Sequence, residues 1–576
     1  MEKQAHYLNY VLSQRAPSQV CTVHAVSAPD GACRWYAIFA RREDGQWTRR
    51  HERSGNSAAE WWSWIWSIGS IGRRLWVFAP RWVQIMDALD VVDETTFGAG
   101  ALGKRVVSEG CTMIELAKAG RSLTMIDAAN WWDTLPDWLA VPKDAPLSTE
   151  ERVEESCRRL WSLVTSTIDQ AVAADLGVIQ PTIGSWASNV WRHWHRGQRV
   201  IVHTDIDAAI LERRAYMGGQ CIVHKTGVLS GPWYGIDCNM MYPWAMSSCL
   251  QPYQLVAYNP HGDVRLLELM SPGQGAIAEV ELSQMDWTYP YKSHGQLRAA
   301  RGTFWTVLAW PELSYALSQG HVRTVRQVCI YSLADLFSVW ANRLWSLRLT
   351  TRASGRVDFA TLLKRLGAAL HGKLGQLGAE WVEGLFPCIR PWAWWPVMMP
   401  DRTVRRRRAI GLAVEEKWQA DDEPNDSFPG IAAWTTSGAR QRMSKLRARV
   451  GRDNWVYQFS DQLVVNAEGF ARLTSLGEID PDRLGAFKVE FESRQVEIRG
   501  PGWIMHDARR RAAGIGAGAK EVEPDIYTIE CQQTMAGKFG PTGPKKYTEW
   551  VRKVHYPASK VVGELAADGF IDPPTL

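Results

Sequence analysis

RRAYMGGQCIVHKTGVLSGPWYGIDCNMMYPWAM, residues 213–246, is the stretch on which the reading of this chain turns. A glycine pair, Gly218 and Gly219, follows Tyr216, and a lone carboxylate, Asp237, stands eighteen residues past Gly219. Apolar residues lead into Asp237, and Tyr242-Pro243 follows it. This pattern predicts a buried strand that delivers an acid to its end, then a turn and a new element. A strand end holds a carboxylate rigidly, as a catalytic metal requires. For an isolated acid the simpler reading is a helix cap for Asp237 and an ordinary turn for the glycine pair.

Two motifs in order change that balance. YMGG followed by DCNMMYPWAM resembles the YxGG and DxxxLYP motifs of family B DNA polymerases, most closely the protein-primed branch of small phages and linear plasmids. The resemblance implies an α/β (α+β) fold: a right-hand polymerase of palm, fingers and thumb, preceded by a ribonuclease H-like exonuclease-type domain. Carried along the chain, it implies a degenerate exonuclease-like domain over 1–200, a first palm segment with an insertion over 201–332, and fingers over 333–375. A second insertion follows over 376–430, then palm over 431–495 and thumb over 496–576.

The composition sets outer bounds. A chain of 576 residues can hold two to four domains and a large core. Lys plus Arg number 66 against 61 acids, a net +5 that says little by itself about nucleic acid. Ten cysteines without a C-x-x-C pair argue against a zinc site or disulfide framework and fit a reducing cytoplasm. No apolar run reaches the length of a membrane span, and MEKQAHYLNY lacks the apolar centre of a signal peptide. Most of the 31 Trp are expected in packing, with some available to stack on bases.

In the first region CTVHAVSA, RWYAIFAR and RRLWVFA read as strands, and WWSWIWSI (61–68) as a buried helix. A family exonuclease would need four carboxylates here to hold two metals. The first strand has no D-x-E. VFAPRWVQIMD offers only a displaced Asp87, and EESCRRLW keeps Glu155 and Cys157 but has Leu160 in place of the acid. No exonuclease activity is expected, and Asp127 reads as a surface or capping residue. Further on, SWASNVWRHWHRGQ, with His193 and His195 around Trp194 and beside Arg192 and Arg196, reads as a basic aromatic surface or a solvated linker.

The helix from Pro311 to Gly320 sits where the family carries the insertion that contacts the priming protein. In the fingers region LADLFSVWANRLWSLRL and FATLLKRLGAALHGKLGQLG read as two helices around a TTRASG turn. KRLGAALHGK keeps Lys364 and Gly372 of the family pattern but has Ala368, Ala369 and His371 where Asn, Ser and Tyr are usual. Lys364 and Arg348 are the implied triphosphate-binding cations, each otherwise an ordinary helix cation.

Residues 376–430 read as the least regular region. Trp392, Trp394 and Trp395 beside Arg405, Arg406, Arg407 and Arg408 suggest a groove for a single strand, or else a solvated charge run. ADDEPNDS (420–427) reads as an exposed acidic loop. The helix IAAWTTSGARQRMSKLRARV carries Arg440, Arg442, Lys445, Arg447 and Arg449 into WVYQFSDQLVV, where the family has YxDTDS. Phe459 replaces the first acid and Asp461 keeps the second. Beyond a further palm strand, RGPGW puts Pro501 and Trp503 where a K-x-Y motif would grip the primer. Arg509 to Arg511 are candidate phosphate contacts, and Lys545, Lys546 and Tyr547 form a basic patch of low specificity.

The resemblance implies two Mg2+ (or Mn2+) ions between Asp237 and Asp461, with Tyr242 beneath the sugar and Tyr216, Gly218 and Gly219 close to the template backbone. The implied partners are primer-template or single-stranded DNA, dNTPs and a priming protein, with no membrane and a cytoplasmic location. The implied activity is a DNA polymerase without proofreading, in a mobile-element or antiviral-defence setting. The alternative is a catalytically silent relative that binds nucleic acid or a partner protein.

Overall fold

The computed structural model describes the chain except residues 1–4, 9–13, 29, 92–101, 108–112, 133–135, 142–144, 294–295, 378, 391, 411–412, 420–423, 514, 516–518, 524–525, 532–538, 541–542, 545–549, 556–562, 567–568 and 576. Strands β1 (Gln19–Ser27), β2 (Cys33–Glu43) and β3 (Gln46–Gly55) form an antiparallel meander. Helix α1 (Ala58–Ile68) crosses over to β4 (Arg74–Ala79), which pairs parallel to β1. A parallel neighbour requires such a crossover, because a tight turn can only reverse the chain. With β5 (Leu102–Val107), β6 (Met113–Lys118) and β7 (Arg121–Asp127) the sheet order is β3-β2-β1-β4-β7-β6-β5.

Both faces of this sheet are covered. Trp61, Trp62, Trp64 and Trp66 of α1 are buried against one, with Trp35 stacked on Trp64 at 5.6–5.9 Å from its α1 partners. Helix α2 (Thr149–Ala173) covers the other; Ser148 and Glu151 close a capping box that satisfies its first N–H groups. Helix α3 (Ile183–Trp194) corrects the expectation of a basic surface or linker. Trp186, Trp191, Arg192, His193 and Trp194 are all buried. Arg192 donates to the Leu8 carbonyl at 2.9 Å and pairs with Asp426 at 2.6 Å, and His193 meets Asp175 at 2.6 Å. Asp426, expected in an exposed acidic loop, is thus part of an anchor, and Ser427 beside it is buried.

After α4 (Ile206–Ala215), β8 (Cys221–Val223) and the long β9 (Gly227–Cys238) enter a second sheet, and α5 (Met241–Ser247) leaves it. An inserted sheet follows: β10 (Gln251–Asn259), β11 (Gln274–Gln284), β12 (Gly302–Ala309) and β13 (Val322–Ala334), in the order β10-β13-β11-β12, with α6 (Trp310–Ser318) packed on it. Two antiparallel helices come next, α7 (Ser338–Ala353) and α8 (Val357–Leu374). TTRA belongs to α7, so the turn is shorter than the TTRASG read from sequence.

Residues 376–430 are more regular than expected. β14 (Ala379–Glu383), β15 (Ala393–Met398), β16 (Val404–Ile410) and β17 (Ala413–Gln419) form an antiparallel sheet in the order β14-β17-β16-β15. The prolines and charges that argued for loop are accommodated at its edge and by ion pairs across its rungs.

Helix α9 (Pro429–Val450) then crosses the molecule, and β18 (Trp455–Phe459), β19 (Gln462–Asn466), β20 (Phe487–Gly500), β21 (Trp503–His506) and β22 (Arg509–Ala512) complete the central sheet. Its order is β8-β18-β19-β9-β20-β21-β22. This sheet runs on to Ala512, past the boundary expected at 495, because β20 pairs continuously with β9 and then turns back into β21. A three-stranded sheet of Lys520–Glu523, Ile526–Cys531 and Trp550–His555 follows. Lys545, Lys546 and Tyr547 lie outside the described residues.

Candidate active site

Asp237 stands near the end of β9, opposite Gln462 on one neighbouring strand and Lys488 on the other. The β18–β19 hairpin closes at the Phe459–Gln462 pair, which leaves Ser460 and Asp461 as its turn. Ser460 holds φ at +53°, a left-handed conformation that costs a residue with a side chain about 1–2 kcal/mol. That turn sets Asp461 beside Asp237. The Cys238 N–H donates to the Asp461 carbonyl at 3.2 Å. Burial first, and then the Asp237 charge, push the Asp461 carboxyl up to about 6, against the pull of Lys364 and Lys488.

Asp237 already has a cation on it. Lys488 Nζ donates to Asp237 Oδ2 at 2.6 Å and to Glu490 Oε1 at 2.7 Å, and Arg511 donates to Glu490 Oε2 at 2.8 Å. Burial works to raise the Glu490 carboxyl, but the hydrogen bonds from Lys488 and Arg511 override it and hold it at about 2. Asp237 and Lys488 are both partly screened, with side chains 21% and 27% exposed. Among the described residues no group of three or more His, Cys, Asp or Glu side chains is arranged for a metal. Two acids, completed by water and substrate phosphates, fit divalent metal, and the pair of ions expected from the sequence would share Asp237 and Asp461.

The YMGG loop lies on the hairpin turn. A Cβ on Gly219 would stand 2.5 Å from Ser460 Oγ and 3.0 Å from its Cα, so only glycine permits this approach. The Ser460 N–H donates to the Gln220 carbonyl at 2.9 Å. Gly218 faces open space, and both glycines are exposed. The Tyr216 ring fills the place of a side chain on Gly375, at the end of α8. Behind the loop, Arg440 donates to the carbonyls of Met217 at 2.6 Å and Gly218 at 3.1 Å. The same guanidinium makes a two-pronged pair with Glu312 of α6, at 2.9 and 2.5 Å, and both side chains are 1% exposed.

Helix α8 closes the other side. Lys364, Ala368 and His371 recur at helical spacing on one face. Lys364 is exposed and its charge reaches Asp461. The His371 ring sits 3.7 Å from the Tyr242 ring, and its Nδ1 lies 2.8 Å from the Ala368 carbonyl. Burial pulls the imidazole down to about 4, so it is neutral at pH 7. Tyr242 in turn bonds the Ser460 side chain. A Cβ on Gly367 would meet Met240 Cε at 2.1 Å, so glycine here lets α8 pack directly over the start of α5.

The structure thus brings together Asp237, Asp461, Lys364, Tyr242, Tyr216 and Gly219. Arg348 is half-buried over Trp345, 5.4 Å from its ring centre, with burial lowering its pKa. Gly372 is exposed, and no close neighbour demands glycine there. Most of the arginine run is paired with acids of the neighbouring strand. Arg405 and Arg407 both pair with buried Glu416 at 2.8 and 2.7 Å, and Arg408, 4% exposed, pairs with Glu415 at 2.5 Å. Arg406, on the same face of β16 as Arg408, is exposed. In the last group Arg510 packs 4.4 Å over the Tyr527 ring and donates to the Ala519 carbonyl at 2.8 Å, a structural use, while Arg509 is exposed. Sequence reading missed Lys488, Glu490, and the Arg440–Glu312 pair. The signal for the first two was present: FKVEF alternates charge with period two, placing Lys488 and Glu490 on one face of a strand.

Among its described residues the first domain holds no comparable cluster. Thr22 Oγ1 lies 3.4 Å from Cys157 Sγ, between β1 and α2, with Leu160 buried beside them. Burial pulls His24, two residues on, down to about 4. Asp127 is a cap, as expected: it accepts from the N–H groups of Trp82 at 3.2 Å and Ala129 at 2.9 Å. Glu155 pairs with Arg159 along α2.

Residues 155–358 match the family model of DNA polymerase type B, organellar and viral. In fold the chain is similar to phi29 DNA polymerase complexed with primer-template DNA and incoming nucleotide substrates, with 13% identity, TM-score 0.56, and coverage of 93% of this chain and 92% of that one. The same polymerase complexed with single-stranded DNA matches at 14% identity and TM-score 0.54, over the same shares. No curated protein matches the chain by sequence. The right-hand polymerase architecture with an exonuclease-type domain is therefore present.

Proposed function

We propose that this chain is a type B DNA polymerase that carries out template-directed nucleotidyl transfer centred on Asp237 and Asp461, without 3′–5′ exonuclease activity, a reading supported by the matched family model and the shared fold. The observation that carries this reading is the meeting of two acids, far apart in sequence, at one end of the central sheet under Lys364. Asp237 and Asp461 would hold a divalent ion, which when bound supplies Lewis acidity at the reacting phosphoryl group. Lys364 brings a fixed positive charge to the triphosphate as negative charge shifts toward the leaving pyrophosphate. Tyr242, braced by His371, forms the floor of the sugar site, where a 2′-hydroxyl would collide. The YMGG loop, free of Cβ atoms at 218 and 219, lets a template backbone approach the hairpin. DNA and dNTPs are the substrates in this reading, and priming by a protein hydroxyl fits the branch that the motifs resemble.

The exonuclease loss is supported by the apolar and thiol contacts that fill the space between β1 and α2. Among the described residues no acids converge there to hold the metals that such cleavage uses. One observation favours a second reading. Lys488 engages Asp237 directly, as a silent DNA-binding relative would tolerate. Incorporation assays with Mg2+ or Mn2+, each dNTP singly, with and without template, separate the two. Asp237→Ala is expected to reduce incorporation to background; retention of activity in that variant overturns the polymerase mechanism.

A further inference from the structure

We propose that Lys488 is a built-in cation that takes the place of one divalent ion on Asp237, so that this site holds one metal ion fewer than its two acids could otherwise recruit. This rests on the reading of Asp237 and Asp461 as the metal-holding pair. Three observations lead to it. Lys488 is fixed rather than dangling: its strand pairs directly with that of Asp237, residue opposite residue. Its ammonium is claimed from two sides, by Asp237 at 2.6 Å and by Glu490 at 2.7 Å. Glu490 is itself held by Arg511 at 2.8 Å from across the sheet.

The consequence is electrostatic. A pocket of converging carboxylates ordinarily repels itself until metal enters. Here Asp237 and Glu490 face Lys488 and Arg511, so most of that repulsion is relieved by the protein alone. An ammonium in contact with one carboxylate oxygen also repels a divalent ion that approaches the same oxygen. Lysine suits this use, being a compact point charge with three rotatable donors, where arginine's planar fork is better matched to paired oxygens. The period-two placement of Lys488 and Glu490 makes the arrangement a property of the strand and not of a mobile loop.

The test is a Mn2+ titration of the full-length protein without DNA or nucleotide, with bound ions counted by electron paramagnetic resonance. Lys488→Met is expected to bind one more Mn2+ per chain than the wild type, while Lys488→Arg keeps the wild-type number. Equal numbers in the wild type and the Met variant overturn the proposal. If Lys488→Met fails to fold, the wild type alone decides: two ions per chain overturn the proposal, fewer than two sustain it. Absence of nucleotide incorporation by the wild type would defeat the polymerase reading while leaving this count intact, so the two failures are distinguishable.

Discussion

The N-terminal domain and the central sheet are built on a common plan, and they treat acids in opposite ways. In each, a central strand carries residues toward a covering helix. In the first domain Thr22 and Cys157 meet there, at 3.4 Å, inside a core continuous with Leu160 and Trp161. In the central sheet Asp237 and Asp461 meet, and Lys488, Arg511 and Lys364 gather around them and Glu490. The difference teaches that a buried carboxylate lasts in a fold only with a counter-charge or a set of donors. Where neither is kept, the space closes with apolar atoms and thiols. Asp127 is the exception that fits the rule, because two backbone N–H groups hold it.

The sharpest way to break this comparison is to remove an acid from the active side. Asp461→Ala is expected to reduce metal-dependent incorporation to background in a primer-extension assay, while leaving the fold intact by circular dichroism. Next in size is Arg440→Ala. It leaves Glu312 buried without its partner and the carbonyls of Met217 and Gly218 without their donor, and is expected to lower stability by about 3–5 kcal/mol in urea titration.

The third test lies in the first domain. Burial pushes the Asp127 carboxyl up to about 6, against about 4 in an unfolded chain. The native state therefore holds this proton over a range where the unfolded state has lost it. The contribution to stability is greatest below pH 4, falls as pH rises from 4 to 6, and levels off above, a loss of about 3 kcal/mol. Asp127→Asn should flatten that fall, seen as a smaller difference between urea midpoints at pH 4 and pH 7 than the wild type shows. The smallest effect is expected at Arg509. Arg509→Ala should change stability by less than about 0.5 kcal/mol, yet lower the slope of DNA affinity against salt by about one ion.

Much of the central site was legible because its residues are bound to local backbone form. A strand, an acid, a turn and a Tyr-Pro pair follow one another within 213–246, and the hairpin acid sits in a short apolar run. The strands and the tryptophan helix of the first domain were legible for the same reason. What escaped were relations between distant segments. Nothing local in FKVEF tells which neighbour Lys488 will face, since that depends on the register of β20 against β9. Four consecutive arginines looked like a solvated or DNA-facing run. Alternation on a strand instead put Arg405 and Arg407 on one face with a shared acid, Glu416, and Arg408 is buried in a pair with Glu415. In SWASNVWRHWH the aromatic and basic letters suggested a surface, but helical spacing buries them together against the domain core.

The clasp made by Arg440 has a mechanical meaning. One side chain grips the inserted helix through Glu312 and the glycine loop through two carbonyls. Helix α6 and the glycine loop are therefore tied through a single side chain beside the hairpin turn that carries Asp461. Under the reading proposed above, a partner that displaced the inserted helix would pull on the loop where a template strand would rest.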